Sequence, residues 1–317
     1  MKRSNLLLVL TAILVLVLSA CAAPAAPAPA ADSGGETSEA SGEAGGDATC
    51  TDELGCVEIP AGDPITVGGM FTISGATAFL GEDSRGGVEI ALADRGQVLG
   101  RDLEAQIEDS LCSAEGGQTA AQKLASDPTI VGVVGTNCSS ASAAALPIIS
   151  SAGMLMISPS ATSPTLTDAD PDAGGIYQPG FYRTAHNDLF QGRVAAEFVF
   201  NELGAATLAT IHDGSPYAES LAAVAAQVFA ELGGEVTFEG AVNVGDTDMR
   251  PILTEIASNP PAVLYFPIFE PESNFIAAQA QEIAGLEDTI LMSADGSLVD
   301  SFPENSGAAA VGMYLSG

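Results

Sequence analysis

Two clusters of small hydroxyl residues carry the strongest chemical signal in the chain. Ser139 and Ser140 follow the apolar run 130–135 and open the small-residue stretch 139–151. Ser158, Ser160 and Thr162 follow the strand-like run 154–157. Unpaired N–H groups at a helix start, with hydroxyls beside them, suit a small anion such as a carboxylate. Ser and Thr also cap helices in any protein, and taken alone the clusters fit either role. Catalytic signals are poor. The chain has two histidines, His186 and His212, and lacks the Gly-x-Ser-x-Gly, Gly-x-x-x-x-Gly-Lys-Ser/Thr, Gly-x-Gly-x-x-Gly and His-Glu-x-x-His patterns. His212-Asp213 could be imagined in a triad, but such a pair at a strand end is more often polar lining at a cleft rim. The reading is a binding protein without metal or cofactor rather than an enzyme.

The elements around these clusters alternate. Strand-like runs at 65–71, 103–108, 130–134, 154–157, 208–212, 235–242, 263–268 and 289–292 are separated by amphipathic stretches at 86–94, 118–126, 190–203, 218–232, 251–258 and 274–283. Short apolar strands alternating with helices indicate parallel sheets of βαβ units. About 250 residues exceed one such layer. A Pro-, Gly- and Asp-rich break at 168–180 separates two halves, with 182–188 as the passage between them. The expected fold class is α/β, with two Rossmann-like lobes and a hinge. Ligands of open α/β sheets bind at the carboxyl ends of strands and at domain interfaces.

The first 50 residues speak of export. Lys2 and Arg3 precede the uncharged run 6–18, too short to span a bilayer but right for a signal-peptide core. Leu18-Ser19-Ala20-Cys21 looks like a lipoprotein cleavage box with Cys21 as the lipidated residue; plain secretion with a chance cysteine is the alternative. Residues 22–49 hold no aromatic and no basic residue and read as a flexible tether with a reach of roughly 30 Å. Of five cysteines, Cys21 goes to the lipid, and the other four are expected as Cys112–Cys138 and Cys50–Cys56 in an oxidising compartment. Four cysteines allow three pairings, and reduced buried thiols are the rival. The net charge of −32 argues against nucleic acid and anionic lipid as partners. Charged residues make up only 16% of the chain, so it is no disordered polyanion.

Several segments occur in one order: Ser74-Gly75, Gly81, Asp109-Ser-Leu-Cys-Ser113, Asn137-Cys-Ser-Ser140, Met156 through Thr167, Phe181-Tyr-Arg-Thr184 and His212-Asp-Gly-Ser-Pro-Tyr217. Over residues 64–317 the chain resembles the branched-chain amino-acid (Leu/Ile/Val) binding proteins of bacterial ABC importers, in their lipoprotein form, with the type I periplasmic-binding fold. The resemblance implies a hinged clamp. Ser139 and Thr162, with backbone groups of Ser160 and Ala161, would hold a ligand α-carboxylate. Tyr217 would close over it, and Asp295 stands where the family places a glutamate for the α-ammonium. Phe269 stands for a tyrosine and Leu80 for an aromatic, leaving with Phe79 an apolar side-chain pocket. Cys112–Cys138 matches a family disulfide.

The implied function is an extracytoplasmic solute receptor. It would deliver an amino acid, branched-chain or otherwise aliphatic, to a membrane permease, acting as a monomer. It would be lipid-anchored at the outer face of the cytoplasmic membrane or in the periplasm. A ligand-sensing receptor domain, or a binder of an amide, urea or aromatic solute, is the alternative. The expected division is 1–21 signal peptide and lipobox, 22–63 acidic linker with a short disulfide loop, 64–183 first lobe and 184–308 second lobe. Residues 309–317 are expected as a crossover strand running back toward the first lobe. The family chain normally continues past that crossing, so a C-terminal portion of the fold is expected to be absent from this sequence.

Overall fold

The computed structural model describes residues 51 and 56–317. The expectations for Cys21, for the 22–49 tether and for a bridge from Cys50 to Cys56 rest on residues outside those described. Strands β1 (Ile65–Phe71), β2 (Gln97–Val98), β3 (Arg101–Asp109), β4 (Ile130–Gly135), β5 (Met156–Ser158) and β6 (Phe181–Arg183) form one sheet, in the order β2-β3-β1-β4-β5-β6. All its pairs are parallel except the β2–β3 hairpin. Helices α1 (Ala78–Arg95), α2 (Ala114–Ala125) and α3 (Ser139–Ser151) link the strands. Ser113 caps α2 by accepting the Gly116 N–H at 3.0 Å.

The chain then enters α4 (Asp188–Glu197), capped by Asn187 accepting the Leu189 N–H at 3.1 Å. Beyond it lie β7 (Thr207–His212), α5 (Pro216–Glu231), β8 (Glu235–Ala241), α6 (Arg250–Ile256), β9 (Val263–Tyr265), α7 (Glu272–Ala280), β10 (Ile290–Ala294), α8 (Ser301–Ser306) and β11 (Tyr314–Ser316). The second sheet is fully parallel, in the order β11-β10-β9-β7-β8.

Each sheet has its own core. Met70, Leu124, Ile130, Leu146, Ile149, Met156 and Phe181 pack around the first. Leu208, Ile211, Leu221, Phe229, Val263, Leu264 and Phe266 pack around the second. Fully burying a side chain of this kind contributes about 1.5–3 kcal/mol, so each sheet has an apolar reason to hold together. Gly81 allows α1 to lie against the end of β1, because a Cβ there would collide with the Thr72 backbone.

Two expectations about organisation are corrected. Residues 168–180 do not divide the sheets. They contain the 3-10 turn Pro171–Ala173 and lead into β6, still a strand of the first sheet. The final strand does not return to the first sheet either. β11 pairs in parallel with β10 as the edge of the second, Met292 opposite Tyr314. It is also shorter than its apolar run suggested, because Gly307–Ala310 forms a 3-10 turn and Gly312 takes a positive φ of 85°.

Candidate functional site

One cavity is bordered by residues that follow the carboxyl ends of strands in both sheets. Asn137, Cys138 and Ser139 follow β4, and Ser160 follows β5. Tyr217 follows β7, Phe269 follows β9 and Asp295 follows β10, while Leu80 comes from α1. They border a narrow cavity of about 270 Å3 that opens to solvent. The walls therefore stand close together. Leu80 and Ser160 also border a wider mouth, shared with Phe79 on one side and Leu298 and Val299 on the other.

The first wall is rigid by hydrogen bonding. Cys112 and Cys138 are disulfide-linked with their Cα atoms 5.2 Å apart, which fixes the start of α3 beside the end of β3. Asn137 donates through Nδ2 to the Leu80 carbonyl at 3.1 Å and to Ser84 Oγ at 2.7 Å, and its Oδ1 accepts the Thr72 N–H at 3.2 Å. Ser139 Oγ accepts the Ser163 N–H at 3.1 Å, leaving its own proton to donate. No side chain at Cys138 caps α3, whose start borders the cavity at Cys138 and Ser139.

The other three members of the expected carboxylate set are placed as follows. Ala161 is fully buried, does not border the cavity, and gives its N–H to Ser158 Oγ at 2.9 Å. The Ala161 N–H is engaged because the Ser158 hydroxyl donates to the Thr136 carbonyl at 2.7 Å and so turns its lone pairs toward Ala161. Ser160 Oγ donates to the Asn137 carbonyl at 3.0 Å and is left an acceptor. Thr162 lies behind the wall, 2% exposed, with Oγ1 buried and unbonded.

In the second wall, Tyr217 stacks on Phe269 with ring centroids 4.9 Å apart and planes at 23°. Gly296 leaves room for both, since a Cβ there would come within 2.8 Å of the Phe269 ring. Tyr217 donates to Asp295 Oδ1 at 2.9 Å, and its hydroxyl accepts the Gly296 N–H at 3.3 Å. Burial, and then the Asp295 charge, push the Tyr217 hydroxyl well above its ordinary value, so it stays a donor.

Sequence reasoning missed two groups here. Gln191 Nε2 donates to Asp295 Oδ1 at 2.7 Å from α4. Asp188, at the head of the same helix, is fully buried, and neither carboxylate oxygen meets a partner in hydrogen-bond geometry. Burial raises its pKa to about 7, with the Asp295 charge adding; nearby Thr162, Arg183 and His186 offset part of this. Thr162 is thus close enough to favour the charged form while off hydrogen-bond geometry. The only sequence signal for either residue was position, immediately after the passage between the halves.

The histidines have other tasks. His212 Nδ1 accepts the Gly214 N–H at 3.1 Å in the turn after β7, and His186 Nε2 meets Gln191 Oε1 at 2.8 Å. Among the described residues no group of three or more His, Cys, Asp or Glu could hold a metal ion. No described helix is long and apolar enough to cross a membrane.

Two mainly parallel α/β sheets whose strand ends border one cavity define the two-lobed periplasmic-binding type I fold. The chain belongs to the periplasmic binding protein family, whose model matches residues 64–317. A leucine-, isoleucine-, valine-, threonine- and alanine-binding protein of Pseudomonas aeruginosa is 29% identical over 256 residues, which are 80% of this chain and 66% of that protein. The chain therefore spans just under two thirds of the length of this relative. A branched-chain amino-acid transporter substrate-binding protein of Streptococcus pneumoniae, solved with isoleucine, is 25% identical with a TM-score of 0.66, covering 80% of this chain and 70% of that one. A leucine binding protein of Thermotoga maritima shares the fold at 24% identity and a TM-score of 0.71, covering 79% and 69%. The family resemblance read from the sequence and the α/β fold class agree with these findings.

Proposed function

We propose that this chain is the solute receptor of an ABC importer and encloses an aliphatic α-amino acid, branched-chain above all, between its two sheets. The observation that carries this reading is the pairing of opposite demands across one narrow cavity. On one wall are the uncapped start of α3 and the Ser139 hydroxyl, groups that favour a carboxylate. On the other is Asp295, a carboxylate that favours an ammonium. Thr162, with an unbonded buried hydroxyl, lies behind the first wall. The side chain would lie against Leu80 and Phe269.

An aromatic acid without an ammonium is the poorer fit, because it would bring a second negative charge to Asp295 and leave both uncompensated. Ligand would favour the closed arrangement, since only that arrangement offers both ends a partner. A membrane permease would then recognise the closed form, with Cys21 as the lipid anchor on the outer side of the cytoplasmic membrane. Calorimetric titration of the mature protein with leucine, isoleucine and valine tests the reading. Micromolar binding, about 8 kcal/mol, is expected. Absence of heat with every amino acid would remove the assignment.

A further inference from the structure

Asp295 does not stand alone in the cavity wall. Gln191 is 3% exposed and every hydrogen-bonding atom of its amide is engaged. One Nε2 proton goes to Asp295 Oδ1 at 2.7 Å, and the other is shared by the Ser316 carbonyl at 3.1 Å and Ser316 Oγ at 3.3 Å. Its Oε1 faces His186 Nε2 at 2.8 Å, so that nitrogen carries the proton in this pair. A flipped amide would set oxygen against both the Asp295 carboxylate and the Ser316 carbonyl. Those two acceptors determine the orientation, and the proton on the imidazole follows from it.

Tyr217 donates to the same Asp295 oxygen at 2.9 Å. Two donors on Oδ1 leave Oδ2 as the oxygen that accepts no hydrogen bond from the protein among the described residues. Asp295 borders the cavity and is only partly buried. The carboxylate is thus turned so that one oxygen belongs to the protein and the other to the cleft.

We infer that Gln191 is a positioning residue for ligand recognition: from α4 it holds Asp295 so that Oδ2 meets the ammonium of the bound amino acid. The inference rests on the amino-acid reading above. It adds that ammonium recognition depends on a residue outside the cavity, one that ties α4 to the ends of β10 and β11. A purely structural Gln191 would only fasten α4 to the sheet edge and would act independently of Asp295.

The test is a double-mutant cycle read by calorimetry with leucine, with thermal melts alongside. Gln191→Met should weaken leucine tenfold or more. Gln191→Glu keeps the side-chain shape but replaces the donor with a like charge, and should weaken it further. In an Asp295→Ala background the same substitutions should change leucine affinity less than twofold, because the group they act through is gone. Equal losses in both backgrounds, or no loss in either, would overturn the role given to Gln191. The melts of Gln191→Glu separate misfolding from a binding effect. A wild-type protein that takes up no amino acid would instead remove the amino-acid reading itself. Binding by wild type with additive losses removes only this one.

Discussion

Asp188 combines full burial with two unbonded carboxylate oxygens, an arrangement that burial alone makes costly for the charged form. Its pKa rises from an ordinary 3.8 to about 7, burial being the main cause. Between those values the folded protein keeps a proton that the unfolded chain has released, so stability falls as pH rises through this window. Each unit is worth about 1.4 kcal/mol, which puts the loss at a few kcal/mol by pH 8. Asp188→Asn has no proton to lose. Thermal melts between pH 5 and 8 should show wild type declining relative to the variant up to about pH 7, with the gap levelling off above it. Parallel curves would show that Arg183 and His186 compensate the charge fully.

At the scale of elements, the Cys112–Cys138 bridge joins the turn after β3 to the start of α3 and closes a loop of 26 residues in sequence separation. Loop-closure entropy assigns such a link roughly 3.5 kcal/mol. Replacing both cysteines with serine should lower the urea midpoint accordingly. A loss under about 1 kcal/mol would mean that the unfolded chain is already compact there. This pair was legible in the sequence, since both cysteines stand just after strand-like runs. That Ser139, Tyr217 and Asp295 border one cavity was legible for the same reason together with the resemblance. The limits of such reading are equally specific. Which N–H groups remain free is decided by the path of the 158–163 loop, and Ser158 takes the one on Ala161. Gln191 and Asp188 look in sequence like ordinary polar residues of a helix's first turns. Only the docking of α4 against β10 and β11 turns one toward Asp295 and buries the other. The 168–180 stretch misled because Pro and Gly mark turns equally well before a strand and between lobes.

For the whole molecule, the net charge of −32 produces a strong negative field that acts on ions and not on a neutral zwitterion. Leucine affinity should therefore vary less than about twofold between about 20 and 500 mM salt, whereas a cationic solute would lose affinity as screening removed its attraction. Isothermal titration across that range distinguishes them. A further consequence comes from the short stretch 184–187, the single place where the described chain passes from the first sheet to the second. On the proposed reading, once one end of a solute is held by Ser139's wall, the other wall is a second binding partner on the same molecule. Its strength then depends on effective concentration, set by how this four-residue tether restricts the search. Stiffness at 184–187 would tune affinity and residence time without altering one atom of the cleft, so solute preference and capture strength could evolve on separate residues.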